Sequence, residues 1–227
     1  MSRPILITML THNDKTVPNS KEIFLQAKDA PCMHWGLKDV GLPKEEIREI
    51  VALMKEAGKK TYLECLAYDE ESAYNAVQFG IDCDFDVVMG TFYFDKVGDL
   101  AEKYHVNYYP FVGCQVAGDV FGTVEENVEK VLEIAHKKVT GVDFCGYRWV
   151  NGNPEDVIDA VVKAVKTETG KPVFCVGSIN TFERLDAVKR LNVDAITIGS
   201  AFFDHKFGDT FAEQIKVVED YLDRPLT

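Results

Sequence analysis

The 227-residue chain is 46% hydrophobic and 27% charged and carries a net charge of −12. This is a globular balance that leaves little room for disorder, at a length where a single α/β barrel domain is common. An acidic chain with no Lys/Arg cluster argues against nucleic-acid and anionic-membrane partners, though not against a small phosphorylated substrate, which backbone amides can hold without net positive charge.

Short apolar runs alternate with amphipathic segments along the whole chain. The first strand is Ile5–Leu10, ending at Thr11-His12-Asn13-Asp14, and a polar loop leads to a helix over Ser20–Lys28. The second strand is Cys32–Leu37, ending at Lys38-Asp39. Its helix is Pro43–Ala57: Pro43 fits the first turn, Glu45 and Glu46 fit the positive end, and Gly58 fits the C-terminal cap. Ile47, Ile50, Val51 and Met54 recur at the spacing of one helix face. The third strand is Thr61–Leu66, with Glu64 inside it, and its helix Glu70–Phe79 is expected to close at Gly80. The fourth strand is Asp86–Met89, ending at Gly90-Thr91, with a helix over Lys96–Tyr104. The fifth strand, Tyr108–Val112, leads through Gly113-Cys114-Gln115 into a longer loop. Thr123 and Glu126 then form a capping box for a helix to Lys137. The sixth strand, Val142–Cys145, ends at Gly146-Tyr147-Arg148, and Asn153 caps a helix over Pro154–Glu168. The seventh strand is Val173–Val176, followed by Gly177-Ser178 and by Asn180-Thr181, which can cap a helix to Leu191. The eighth is Asp194–Ile198, ending at Gly199-Ser200, and Asp209–Leu222 is the last helix.

Strands separated by helices require parallel crossovers, and a uniform series of right-handed crossovers closes into a barrel or forms a doubly wound sheet. Eight strands, eight helices and no G-x-G-x-x-G after the first strand favour a (β/α)8 TIM barrel, class α/β, as a single domain over residues 1–227. Pro4–Leu10 is too short to span a membrane, no leader is visible, and a cytoplasmic location is the expectation. Cys32, Cys65, Cys83, Cys114, Cys145 and Cys175 form no C-x-x-C pair and are expected to be free thiols.

In such a barrel the chemistry sits at the C-terminal ends of the strands. Strand alternation puts Tyr62, Glu64 and Leu66 on one side and Leu63 with Cys65 on the other. A carboxylate facing apolar helices is costly, so Glu64 is expected inside, as an acid–base group or as a structural partner of a cation. His34, Gly36 and Lys38 share one side of the second strand. If that side is inward, Lys38 lies beside Glu64, where it can share proton transfer, hold an enolate oxygen or form a Schiff base; the alternative is a solvated lysine beside Asp39. His34 is expected to pack in the core. His12 is a candidate general acid–base group, although a solvated loop explains the same residue. Asp14, Gln115 and Arg148 are candidate substrate contacts, Arg148 through bidentate hydrogen bonds to an anion. No metal-ligand spacing joins His12, Asp14, His34 and Glu64, and no cofactor motif appears, so neither a metal nor a cofactor is expected. Gly177, Ser178, Gly199 and Ser200 are candidate phosphate contacts through their N–H groups.

Gly177-Ser178-Ile179 and Ile198-Gly199-Ser200-Ala201-Phe202 resemble the paired phosphate loops of the ribulose-phosphate-binding barrel superfamily. That group includes phosphosugar epimerases and isomerases, indole-glycerol-phosphate synthase, thiamine-phosphate synthase, orotidine-phosphate decarboxylase and phosphogluconate-type aldolases. The rhythm of strands and helices is similar throughout, but the residue-level likeness is confined to the last two strand–loop units. N-acetylmannosamine-6-phosphate epimerases carry a glutamate in the seventh loop, where this chain has Val176-Gly177-Ser178. The aldolases' Schiff-base lysine has no counterpart in Val142–Gly146, and the decarboxylases' Asp-x-Lys-x-x-Asp is not matched by Tyr62–Asp69.

The resemblance implies an enzyme of carbohydrate metabolism acting on a small phosphorylated sugar or sugar acid. Glu64, Lys38 and His12 would carry proton transfer through an enolate-type intermediate, as an epimerase or isomerase. A carbon–carbon lyase, a non-catalytic phosphometabolite-binding barrel and a metal-dependent site are the alternatives. Association into a homo-oligomer through helix faces stays open.

Overall fold

A computed structural model describes residues 3–113 and 119–225. The barrel strands are β1 (Ile5–Met9), β2 (His34–Lys38), β3 (Lys60–Ala67), β4 (Val87–Thr91), β5 in two pieces (Asn107–Tyr109 and Phe111–Val112), β6 (Val142–Phe144), β7 (Val173–Cys175) and β8 (Ala195–Ile198). All pair in parallel, in the order β5–β4–β3–β2–β1–β8–β7–β6–β5. The first piece of β5 pairs with β4 and the second with β6, so the two ends of the sheet are halves of one stretch of chain. Pro110 joins them. It has no N–H for the ladder, yet its carbonyl accepts from Asp143 N–H at 3.1 Å, which hands the strand across from β4 to β6 and closes the barrel.

The intervening helices are α1 (Ser20–Ala27), α2 (Lys44–Glu56), α3 (Glu70–Asp82), α4 (Asp95–Tyr104), α5 (Val124–Ala135), α6 (Pro154–Thr169), α7 (Phe182–Arg190), the short α8 (Ser200–Phe203) and α9 (Phe211–Asp223). Thr123 and Glu126 form the expected capping box on α5, and Asn153 and Thr181 cap α6 and α7. Two expectations are corrected. β6 ends at Phe144, and Gly146–Arg148 is a 3-10 turn that brings Arg148 to the cavity and leaves Tyr147 against Arg184 of α7. α3 does not stop at Gly80 but runs to Asp82. Gly80 has a packing role: a Cβ there would lie 2.3 Å from Val88 Cγ2, so the missing side chain lets α3 close on β4. Among the described residues no helix is long and apolar enough to cross a membrane.

The predicted sidedness of β2 and β3 holds. Leu63 faces the helix layer, against the Cβ position of Gly80, while Tyr62 lies inside, with its ring centroid 6.5 Å from that of Phe174. Tyr109 stacks on Phe174 at 4.0 Å. His34 shares a 2.8 Å hydrogen bond with Tyr62 Oη, and burial, followed by the charge of Lys60, lowers its pKa. Above this layer Met9 occupies the space that Gly36 leaves open, since a Cβ on Gly36 would lie 2.1 Å from its sulfur. The lower barrel is thus filled mainly with aromatic and aliphatic side chains, with His34 and the buried Asp143 among them.

Gly80→Ala tests the packing reading. Helix propensity alone favours alanine by about 1 kcal/mol, yet the variant is expected to be less stable by about 1 kcal/mol, because Val88 is buried and stiff at χ1. Urea unfolding measures this, and the penalty of the alanine should largely vanish in a Val88→Ala background.

Candidate functional site

A cavity of about 350 Å³ opens at the C-terminal ends of the strands, lined on one side by Asp14, Lys38 and Glu64 and on the other by Gly177–Asn180 and Gly199–Ala201. Register brings the first group together. β2 and β3 pair so that Lys38 lies opposite Glu64, both pointing inward, and Lys38 Nζ lies 3.2 Å from Glu64 Oε1. Gly90 makes room beside it: at φ +90° it brings β4 close enough that a Cβ would lie 3.0 Å from Glu64 Cγ.

The third member comes from a device that the polar residues after β1 did not reveal. Thr11–His12 and Lys15–Thr16 form an antiparallel hairpin, and its two turn residues, Asn13 and Asp14, both have positive φ (49° and 60°). That is the conformation a two-residue hairpin turn requires, and Asn and Asp tolerate it. Thr16 fastens the hairpin to β2: its hydroxyl donates to Lys38 O and accepts from Lys38 N, both at 2.8 Å. Gly199 lets the hairpin pack on the end of β8, since a Cβ would lie 2.6 Å from Thr11 Oγ1. Asp14 Oδ1 is thereby held 2.9 Å from Lys38 Nζ.

Lys38 is 4% exposed and not the solvated neighbour of Asp39 that its position after a strand allows. Burial opposes its charge, but the Glu64 carboxylate and the Asp14 hydrogen bond outweigh that and raise its pKa well above the ordinary lysine value. In this arrangement Lys38 is held as a cation between the two carboxylates. The hydrogen bond to Lys38 lowers the pKa of Asp14 against the opposing effect of burial, with help from the charges of Lys38 and Arg148. Lys38 takes up Oε1 of Glu64; Oε2 has no hydrogen-bond partner among the described residues.

The facing wall is backbone. Gly177 has φ +76° and Ser178 φ +59°. The Gly177 N–H donates to Thr197 Oγ1 at 3.3 Å, whereas those of Ser178, Ile179, Gly199 and Ser200 donate to no described residue. All four residues line the cavity. Arg148 lines it too, with Nε 3.4 Å from where a Cβ on Gly177 would stand, and its guanidinium has no carboxylate partner among the described residues. Free amides and a guanidinium with no carboxylate partner around one space are the kind of groups that can hold an anion.

The remaining candidates fall elsewhere. His12 does not line the cavity; it lies at the rim, with Nε2 3.1 Å from Asp204 Oδ1 and its ring against Phe203. His34 lies in the aromatic layer below. Gln115 is outside the described residues. Among the described residues no group of three His, Cys, Asp or Glu side chains is arranged to hold a metal ion. Cys32, Cys65, Cys83 and Cys175 are buried free thiols, Cys145 is buried, and Cys114 is outside the described residues.

Two residues that the sequence reading passed over matter here. Asp143, on β6, is fully buried inside the barrel below the cavity. It sits in an apolar run where only strand alternation hints at it. Arg184, on α7, touches the anion loop through the Ser178 carbonyl. Its helical position gives no sign of that contact.

No protein-family model and no curated protein sequence matches the chain. Solved structures are similar over nearly its whole length. Phosphoribosyl anthranilate isomerase from Thermococcus kodakaraensis is 13% identical with a TM-score of 0.67, covering 98% of this chain and 100% of that one. The tryptophan synthase alpha subunit from Campylobacter jejuni is 13% identical with a TM-score of 0.62, covering 96% and 94%. A structure described as "Native KDPGal structure" is 15% identical with a TM-score of 0.63, covering 97% and 95%. The chain is a (β/α)8 barrel. At these identities the likeness speaks to the fold, and the chemistry must be argued from the cavity.

Lys38→Met strands Glu64 in the interior and is expected to cost about 3 kcal/mol, most of which returns when Glu64→Gln is added. Urea unfolding of the single and double variants checks this. Asp14 is largely exposed, so Asp14→Asn is expected to cost only about 0.5–1 kcal/mol at pH 7. Because the folded-state pKa of Asp14 lies below its ordinary 3.8, that contribution is present above pH 3.8. It disappears as pH falls through the lowered value, so the stability curves of wild type and variant should converge in acid.

Proposed function

We propose that this barrel is an enzyme that moves a proton next to the carbonyl of a small phosphorylated sugar or sugar acid. The observation that carries the reading is the shared cavity. Ser178, Ile179, Gly199 and Ser200, whose N–H groups have no described partner, line the same opening as the buried Lys38–Glu64 pair and its partner Asp14. The phosphate is held by the amides and Arg148, which places the carbon skeleton over Lys38 and Glu64. Glu64 removes the proton on the carbon next to the carbonyl. The electron pair of that C–H bond moves to the carbonyl oxygen, and Lys38 stabilises the resulting enolate as a fixed cation. Where the deprotonated carbon bears a hydroxyl, return of the proton from Glu64 to the former carbonyl carbon, with the hydroxyl proton passing to the enolate oxygen, moves the carbonyl one carbon along and completes an isomerisation. Return to the opposite face of the deprotonated carbon is an epimerisation and requires a second donor.

Two features of the site bear on the alternatives. The fixed charge of Lys38 disfavours a Schiff-base route, so a carbon–carbon lyase here would have to work through the same enolate. His12, engaged with Asp204 at the rim, is poorly placed for the first proton transfer.

Incubating the protein with a panel of phosphosugars in deuterium oxide tests the proposal. Uptake of deuterium at the carbon next to the carbonyl, or transfer of the proton to its neighbour, is the expected result. Glu64→Gln and Lys38→Ala should each reduce it by at least about a hundredfold. Cleavage products would shift the reading to a lyase. Binding of phosphosugars with neither exchange nor turnover would make the barrel a binding protein, and undiminished turnover in the two variants would remove the roles given to Glu64 and Lys38.

A further inference from the structure

The anion loop contains a residue in an unfavourable conformation. Ser178 stands at φ +59°, in the left-handed region that few residues other than glycine adopt. Its carbonyl accepts a hydrogen bond from Arg184 Nη1, and the same nitrogen lies 3.3 Å from Asn180 Oδ1. The Arg184 guanidinium also stacks over the Tyr147 ring, 4.7 Å from its centroid. Arg184 belongs to the first turn of α7, where a cation meets the positive end of the helix dipole. Its placement runs against the helix's own preference, so its contacts outside the helix must offset that cost.

We infer that Arg184 is a positioning residue for the anion loop. By holding the Ser178 carbonyl it keeps that residue in the left-handed conformation, which turns the Ser178 and Ile179 N–H groups toward the cavity. By stacking on Tyr147 it joins the loop after β7 to the turn that carries Arg148. Arg184 does not itself line the cavity, so it acts through the backbone of its neighbours and not on the ligand. This inference rests on the phosphate reading above.

Glycine reaches the left-handed region without the steric cost that a side chain incurs, so Ser178→Gly should supply what loss of Arg184 removes. The measurements are orthophosphate titration by calorimetry and amide hydrogen exchange over residues 177–181, on wild type, Arg184→Ala, Arg184→Lys and Arg184→Ala/Ser178→Gly. Where Arg184→Ala does not fold, Arg184→Gln takes its place. Arg184→Ala is expected to weaken orthophosphate binding about tenfold and to speed exchange at Ser178 and Ile179. Arg184→Lys, which keeps a donor for the carbonyl, should lose less. The double variant should return to within about twofold of wild type, a rescue that general destabilisation does not predict. Wild-type binding and exchange in Arg184→Ala overturn the inference, as does a loss that Ser178→Gly fails to relieve. If the wild type itself does not bind orthophosphate, the phosphate reading fails. Exchange over 177–181 then decides the role of Arg184: unchanged rates overturn it, and faster rates confined to that loop support it.

Discussion

A lysine held between two carboxylates at the top of a mainly apolar barrel is the constraint around which the mouth is arranged. Burying an ammonium group costs several kcal/mol after relaxation, and one carboxylate alone seldom offsets that and its own desolvation. Lys38 meets two, Glu64 from the next strand and Asp14 from the hairpin. Each needs a different structural provision. Glu64 requires the β2–β3 register, since a slip of one residue would turn both side chains toward the helices. Asp14 requires a turn with two left-handed residues and the double hydrogen bond by which Thr16 fastens that turn to β2. The small residues around the chain follow from the same demand: Gly36 admits Met9 beneath Lys38, and Gly90 admits β4 beside Glu64.

The opposite wall solves a complementary problem with backbone. β1 and β8 stand between β2 and β7 in the sheet, so the loops after β7 and β8 face Lys38 and Glu64 across the opening. β7 and β8 are short strands, and the chain leaves each through glycine, so several N–H groups have no ladder partner. Such amides need no compensating charge nearby, which reconciles an anion site with a chain of net charge −12. Arg148, delivered by the 3-10 turn after β6, adds one full positive charge beside them.

Most of this architecture was legible in the order of residues, because it rests on periodicity. Alternation along Tyr62–Leu66 placed Glu64 inside, and the spacing of His34, Gly36 and Lys38 put the lysine beside it. The rhythm of strands and helices gave eight units, and Gly-Ser after β7 and β8 marked two loops that line the cavity. What was not legible depends on contacts that periodicity does not encode. Gly80 looked like a helix end, but its reason lies in Val88 on the next strand. The fifth strand looked continuous, but Pro110 divides its pairing between β4 and β6. Asn13-Asp14 lies between two pairs that form a hairpin, a signal available in the sequence and overridden there by the polarity of the segment. Arg184 sits in the first turn of α7, and its contact with Ser178, six residues back, depends on the turn between them.

The two walls differ in kind, and the difference bears on catalysis. Electrostatic stabilisation is effective when the stabilising groups are already oriented before charge develops. Lys38 meets this condition because its charge is fixed and its position is set by partners on two sides. The amide wall meets it only if the loop after β7 is held in a conformation that its own residues resist. A strained segment persists only where its surroundings over-determine it. Here the surroundings are the Arg184 hydrogen bond to Ser178, the Tyr147 ring on which Arg184 lies, and the Thr197 hydroxyl that accepts from Gly177. On the proposed reading, orientation of the anion depends on β6, α7 and β8 together, while the acid–base groups come from β2 and β3 and from the hairpin after β1. The substrate's two ends would be read by two sets of elements that meet where the hairpin after β1 packs on Gly199 and Asn13 N–H donates to Ser200 Oγ.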